Sequence, residues 1–135
     1  LKYWKDIDAH HCKNLFFRNH KGKKHYLVII KDTTTFNIRS LEQKLKQGKL
    51  SFASEKRLLK YLGLRPGSVS PFGLINDDTN HVHVFIDHQL QEAKKISFHP
   101  NDNTASVVLE YSDFIKYLNS SGNTYEYIDP SPKND

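Results

Sequence analysis

Apolar and polar positions along the chain follow two periods, one typical of strands and one typical of helices. An apolar segment at 13–18, a polar turn and an almost continuously apolar run at 24–31 predict a hairpin whose second strand is buried on both faces. At residues 82–86 another strand is predicted, because Val82, Val84 and Ile86 alternate with His81, His83, Phe85 and Asp87. Further strands are predicted at 95–99, 104–110 and 124–128.

Short helices are predicted between these strands from their capping residues. Ser40, followed by Gln43, fits a capping box. Ser54 predicts the start of a second helix that Gly63 ends, and Ser112 caps a third. The second helix has an apolar face of three leucines: Leu58, Leu59 and Leu62. Hairpins interrupted by short helices indicate an α+β domain with a mixed, mainly antiparallel sheet.

Composition fits one globular domain over residues 1–135. Hydrophobic residues make up 37% and charged residues 26%, and no apolar run approaches the roughly 20 residues of a membrane span. The single Cys12 excludes an internal disulfide and favours a reducing, cytoplasmic location. A net charge of +5 permits a nucleic-acid partner without requiring one.

The loop after the second helix is unusually stiff and is formed of small residues. Pro66 and Pro71 restrict the backbone, whereas Gly67 and Gly73 allow conformations or close approaches that a Cβ forbids. Another molecule could therefore approach the main chain here and be held through polar groups. The alternative is an ordinary connecting loop, since Pro and Gly interrupt most loops.

Two polar groups are candidates for chemistry. Lys13 and Asn14 open an apolar strand and could place a cation and an amide at the rim of the sheet, where a lysine can neutralise a phosphate or a developing oxyanion. A lysine that keeps its ammonium in water is the alternative. The turn with His99, Asn101 and Asn103 could bind a hydroxyl or carbonyl group, or could serve the turn alone.

The histidines and the cysteine offer weaker signals. His81 and His83 are expected on the same side of one strand, and His10 and His11 precede Cys12, but no tight ligand spacing indicates a metal. We therefore expect no metal site and interpret Cys12 as a small buried residue rather than a nucleophile.

Basic residues cluster on the second helix and after it. Lys56 and Lys60 share one helix face, and Arg65 follows in the loop. Such charges can track nucleic-acid phosphates. A solvated helix face with no partner is the alternative.

Several blocks of sequence resemble one known family. Residues 53–58 and 63–77 are similar to the YbaK/ProX family of aminoacyl-tRNA trans-editing domains, in particular its alanyl-tRNA(Pro) deacylase branch, the prolyl-tRNA synthetase-associated editing domain. Residues 12–16, 26–28 and 99–106 match further blocks in family order. The resemblance implies a curled mixed sheet flanked by helices and hydrolysis of alanine wrongly esterified to proline tRNA. It also implies that a further N-terminal helical segment, usual in the family, is absent here.

The resemblance assigns roles to particular residues. The catalytic lysine corresponds to Lys13, with Asn14 beside it. The substrate-binding loop corresponds to Gly67, Ser68, Val69, Ser70 and Pro71. The family's later histidine corresponds to His99, and its asparagine to either Asn103 or Asn101. Lys56, Lys60 and Arg65 become candidates for tRNA contact. No cofactor is implied, and the expected partners of this monomer are mischarged tRNA and prolyl-tRNA synthetase.

The implied chemistry needs no protein nucleophile. The substrate is an activated ester, so a positioned water and a cation or dipoles for the oxyanion can suffice. Two alternatives stay open on the sequence: a sibling deacylase for cysteinyl- or seryl-tRNA, and a tRNA- or synthetase-binding module without turnover.

Overall fold

The computed structural model describes residues 10–98 and 107–132, which form one open mixed sheet with helices packed against it. Its strands are β1 (His10–Arg18), β2 (His25–Lys31), β3 (Ser51–Phe52), β4 (His83–Asp87), β5 (Lys95–Phe98), β6 (Val107–Glu110) and β7 (Tyr125–Ile128). Its α-helices are α1 (Ile38–Leu45), α2 (Glu55–Leu62) and α3 (Tyr111–Ser121). Two 3₁₀-helices span Pro71–Asn76 and His88–Glu92. None of the helices in these ranges is long and apolar enough to cross a membrane.

The sheet has the strand order β6-β5-β1-β2-β4-β7, and the short β3 also pairs with β1. The predicted hairpin is confirmed as the antiparallel pair of β1 and β2. The α+β class and the mixed sheet are also confirmed. The expectation of a mainly antiparallel sheet is too strong, because β1 with β5, β2 with β4 and β4 with β7 are parallel pairs. Helical crossovers between strands that are distant in sequence produce these parallel pairs.

Both faces of the sheet are covered by apolar clusters. The first cluster joins alternate residues of the central strands, such as Phe16 and Leu27, to α2, the first 3₁₀-helix and α3. The second cluster joins the intervening residues, such as Phe17 and Val28, to α1. Burial on both faces explains the continuous apolar run of β2, where the five residues 26–30 are at most 4% exposed.

Helix boundaries follow the capping signals only in part. Ser54 caps α2 and Gly63 ends it in the left-handed conformation, as predicted. The predicted cap at Ser40 is wrong, since Asn37 is the N-cap of α1 and accepts a hydrogen bond from the Ser40 backbone N–H. Asn37 is held there because its own N–H donates to the Pro130 carbonyl at 2.7 Å.

Two other helix predictions need correction. The cap predicted at Ser112 is wrong, because β6 runs directly into α3 with Glu110 as the cap residue. The Tyr111 backbone N–H still bonds to the Lys94 carbonyl, so strand pairing continues to the first helical residue. Leu59 does not belong to the buried face of α2, since its side chain is 63% exposed while Leu58 and Leu62 are buried.

Candidate functional site

One edge of strand β1 pairs with two different strands along its length. Its first residues pair with β5 up to the partners Cys12 and Phe98, and its last residues pair with β3 from Phe17 onward. Residues 13–15 lie between these two ladders and have no strand partner on that edge among the described residues. We call this stretch the strand gap. Main-chain groups that have no strand partner among the described residues are available for other hydrogen bonds, including bonds to a bound molecule.

Lys13 projects from the strand gap into a cavity on the second-cluster face. The cavity has a volume of about 520 Å³ and is also lined by Leu15, Phe17, Phe52 and the segment 32–36. The side chain of Lys13 is exposed, and no carboxylate of the described residues lies within ion-pair distance of it. A free ammonium beside a cavity can bind a phosphate or polarise a carbonyl.

Asn14 projects to the opposite face of the sheet, because successive side chains alternate along a strand. It shares this face with Cys12 and Phe16, which belong to the first cluster. Its side-chain Oδ1 is buried and has no hydrogen-bond partner in the described structure. The Phe16 carbonyl accepts a hydrogen bond from the Ala53 N–H, next to β3. Main-chain groups two residues apart point to the same edge of a strand, so those of Asn14 point into the strand gap.

The loop of residues 67–71 belongs to the Asn14 face. Val69 and Phe72 pack against the first cluster, and the Phe72 ring meets Phe98 edge to face at 5.7 Å. Tyr117 Oη donates to the Pro71 carbonyl at 2.9 Å. Gly67 has φ +87°, a conformation that favours glycine. The loop is therefore held at its C-terminal end and requires glycine at its N-terminal end.

Gly73 allows the first 3₁₀-helix to approach α2 closely. A Cβ at Gly73 would lie 2.7 Å from the Leu62 carbonyl oxygen, which is too close for any other residue. Asn76 Nδ2 donates to the same carbonyl at 2.9 Å. The small residues of this stretch thus serve helix packing at Gly73, and residues 67–70 remain partly exposed.

The structure brings only some of the predicted site residues together. Asn14 and the loop of residues 67–71 share a face, whereas Lys13 lies on the other face, next to Asn14 in the strand gap. His99, Asn101 and Asn103 lie outside the described residues. In sequence they follow Phe98, the last β5 residue before the strand gap.

The cysteine and histidine observations favour structural roles. Burial raises the pKa of the Cys12 thiol to about 12, helped by the negative charges of Asp32 and Asp87, so the thiolate nucleophile is not available at neutral pH. The expectation that His81 and His83 share one side of a strand is wrong. His81 precedes β4 and stacks on Tyr61 of α2, whereas His83 contacts Phe85 of the second cluster. No group of three potential metal ligands converges within the described ranges.

The basic residues of α2 divide into two sets. Lys56, Lys60 and Arg65 are exposed and available to a partner. Arg57 is instead turned towards the sheet, where its Nη1 donates to the Gly22 carbonyl at 2.7 Å and to His25 Nε2 at 3.0 Å. A guanidinium only donates hydrogen bonds, so His25 must accept on Nε2 and is held neutral.

His25 should make the fold sensitive to acid. Burial, followed by the neighbouring His81 and the cations Arg57, Lys60 and Arg18, lowers the pKa of His25 from 6.5 to about 4. The unfolded chain therefore binds more protons between these values, and stability is present above pH 6.5 and is lost as the pH falls towards 4. We expect a loss of about 2 to 3 kcal/mol in the free energy of unfolding between pH 7 and pH 4.5.

Urea unfolding of the wild type and of His25→Gln across this range measures that contribution. The variant lacks the titrating group, so its stability should depend less steeply on pH. Stability curves that run parallel for the two proteins would contradict the assignment.

Sequence reasoning missed two parts of the site. The segment 32–36 forms one wall of the cavity and contains three consecutive threonines. This polar run directly after a buried strand is the sequence feature that could have indicated the wall. The strand gap had no signal in the sequence, because it depends on how β1 pairs with β5 and β3, which are distant from it along the chain.

Comparison with known proteins gives consistent matches. Residues 7–117 match the family described as the aminoacyl-tRNA editing domain. The chain is 47% identical over 117 residues to the prolyl-tRNA editing protein ProX of Acetoanaerobium sticklandii, covering 87% of this chain and 71% of that protein. It is 32% identical over 116 residues to prolyl-tRNA synthetase associated domain-containing protein 1 of Bos taurus, covering 83% of this chain and 67% of that protein.

Solved structures share the fold. A candidate trans-editing enzyme for prolyl tRNA synthetase superposes with a TM-score of 0.71 at 16% identity, covering 98% of this chain and 76% of that one. The hypothetical protein APE2540 superposes with a TM-score of 0.66 at 17% identity, covering 92% and 77%.

Proposed function

Because the chain belongs to the aminoacyl-tRNA editing domain family and is thereby an aminoacyl-tRNA deacylase, we propose that its substrate is alanine esterified to proline tRNA. The observation that carries the proposal is its 47% identity to a prolyl-tRNA editing protein. A pocket made for proline cannot strongly exclude the smaller alanine, so charging errors of this kind require a second, hydrolytic site.

The proposed reaction takes place at the strand gap. Water attacks the ester carbonyl, the bond to the ribose oxygen breaks, and that oxygen takes up a proton, which releases alanine and free tRNA. The Lys13 ammonium approaches from the cavity and stabilises the negative charge that develops on the carbonyl oxygen. Asn14 supplies main-chain groups directed into the gap and a buried side-chain oxygen in need of a donor.

The loop of residues 67–71 bounds the amino-acid side of the site in this proposal. It lies on the Asn14 face and its main chain is flanked by small side chains. The Asn14 Oδ1 has no hydrogen-bond donor in the described structure, and the α-ammonium group of the aminoacyl ester could donate to it. His99, Asn101 and Asn103 remain proposed substrate contacts by resemblance alone.

The tRNA body would be bound through exposed cations. Lys56, Lys60 and Arg65 are the first candidates, since none of them is paired with a described carboxylate. We also propose association with prolyl-tRNA synthetase, which would bring the editing site to newly charged tRNA, and action as a monomer in the cytoplasm.

A panel of charged tRNAs tests the proposed substrate. Alanyl-tRNA(Pro) should be deacylated at least about 10-fold faster than cysteinyl-, seryl- or prolyl-tRNA at equal concentration, because one small change in a pocket is worth about 1–3 kcal/mol. Release of the amino acid is the measurement, with spontaneous hydrolysis of each ester as the control. Preference for cysteine or serine would replace the proposed substrate with that of a sibling deacylase.

A further inference from the structure

The turn between β1 and β2 is the centre of a lysine-rich surface formed by three separate segments. Lys21, Lys23 and Lys24 lie on the turn itself. Lys46 and Lys49 come from the segment between α1 and β3, and Lys56 and Lys60 come from α2. We call these seven residues the basic tip. All seven are exposed.

The turn is held rigidly by one buried residue. Asn19 is 5% exposed, and its side-chain Oδ1 accepts hydrogen bonds from the backbone N–H groups of Lys23 at 2.9 Å and Lys24 at 3.1 Å. Its own backbone bonds to the Lys24 carbonyl and accepts from the Gly22 N–H, both at 3.0 Å. The three lysines of the turn therefore start from a backbone that is already ordered, which reduces the entropy lost on binding.

Contacts on both sides fix the other two segments against this turn. Asn19 Nδ2 donates to Gln47 Oε1 at 3.3 Å, and a Cβ on Gly48 would lie 2.8 Å from the His20 Cβ. On the other side, the Arg57 guanidinium bonds to the Gly22 carbonyl at 2.7 Å. The lysines of the basic tip therefore form one surface rather than three independent groups.

The charges of the basic tip are not neutralised within the protein. Among the described residues, no carboxylate lies within ion-pair distance of any of the seven ammonium groups. Residues 13–65 contain 14 Lys and Arg but 3 Asp and Glu, whereas residues 66–132 contain 3 Lys and Arg and 9 Asp and Glu. The excess positive charge is thus concentrated in the half of the chain that forms this surface, as expected of a contact for a polyanion.

The basic tip is also separated from the proposed reaction site. Lys13 and Asn19 are six residues apart on and just beyond an extended strand, which corresponds to about 20 Å. A single ligand that contacts both places would have to span this distance, and the part of it at the basic tip would have to be anionic. An aminoacylated tRNA has this form, with a reactive 3′ end and a phosphate-lined stem behind it.

We propose that the basic tip binds the phosphate backbone of the double-stranded acceptor stem while the 3′ end occupies the strand gap. This inference rests on the proposed function for its ligand. The surface would increase the affinity for tRNA through phosphate contacts and would leave the chemistry at Lys13 unchanged.

Two triple variants of equal charge test the proposal. In the first, Lys21, Lys23 and Lys24 are replaced by Gln, which removes side chains but keeps the hydrogen-bonded turn. The control replaces Lys94, Lys95 and Lys116 by Gln, all exposed and all in the acidic half. Binding of uncharged tRNA is measured across a salt series, so this readout does not depend on deacylation.

The tip variant should bind tRNA about 10-fold more weakly than the wild type at moderate salt, with a slope of log affinity against log salt that is smaller by about 2 to 3. The control should stay within about 2-fold and keep the wild-type slope. Equal losses in the two variants, or the absence of tRNA binding by the wild type, would overturn the proposal.

A second comparison separates this surface from the reaction site. Both variants should cleave a charged single-stranded oligonucleotide that contains only the 3′ end at the wild-type rate, while the tip variant should be slower on the charged full tRNA below saturation. An equal loss on the short substrate would contradict the stem assignment. Failure of the wild type to deacylate either substrate would overturn the proposed function instead, and the salt series would still decide whether the basic tip binds tRNA.

Discussion

Replacement of Lys13 by alanine is expected to lower the rate of alanyl-tRNA(Pro) deacylation by about 100- to 1,000-fold, with little change in stability. The ammonium lies beside the strand gap and is the described cation that lines the 520 Å³ cavity. Loss of a group that stabilises the developing oxyanion acts mainly on kcat. Because the side chain is exposed and unpaired, its removal should change the free energy of unfolding by less than about 0.5 kcal/mol.

Single-turnover deacylation assays and urea unfolding of the same protein preparations test this prediction. Lys95→Ala is the matched control, since Lys95 is an exposed strand lysine on β5 outside the cavity. Lys13→Arg should recover part of the activity, because it keeps the charge but changes the donor geometry. Near-normal turnover by Lys13→Ala would contradict the catalytic assignment.

Replacement of Gly67 by valine is expected to impair substrate binding more than folding. Gly67 has φ +87°, so a β-branched residue there adds strain of about 1–3 kcal/mol as well as a side chain at the start of the loop. If the loop of residues 67–71 bounds the amino-acid side of the site, KM should rise and kcat/KM should fall by about 10- to 100-fold. This loss of activity should be larger than the loss caused by backbone strain alone.

The control for this change is Gly122→Val, since Gly122 has a nearly equal φ of +83° and lies between α3 and β7, where an added Cβ would meet the Asn80 side chain at 2.7 Å. Comparable losses of stability in the two variants, with loss of activity confined to Gly67→Val, would support the assignment. If Gly67→Val were fully active, the loop would be a connector only.

The predictions that held rest on interactions that are local in sequence. The β1–β2 hairpin follows from two apolar runs around a polar turn, and α2 follows from Ser54 at one end and Gly63 at the other. The hydrogen bonds of α2 join residues within a few positions of one another, and the hairpin pairs two strands that are joined directly by one short turn. The α+β class follows from the same alternation of short strands and helices.

The predictions that failed depend on contacts between distant residues. Asn37 and Ser40 are both good N-cap residues, and the hydrogen bond from Asn37 to Pro130 selects the earlier one. His81 lies outside β4, where its ring stacks on Tyr61 and its Nε2 lies 2.9 Å from His25 Nδ1. No local pattern contains these partners.

The sequence alone determined the family, the class of fold and the residues that are candidates for chemistry, because blocks that resemble a family and capping signals are properties of short segments. Only the tertiary structure decided how those residues are arranged. It placed Lys13 and Asn14 on opposite faces that meet at the strand gap, and it joined three lysine-bearing segments at the basic tip. The physical reason is that strand ends and helix docking are set by packing and hydrogen bonds across the whole domain.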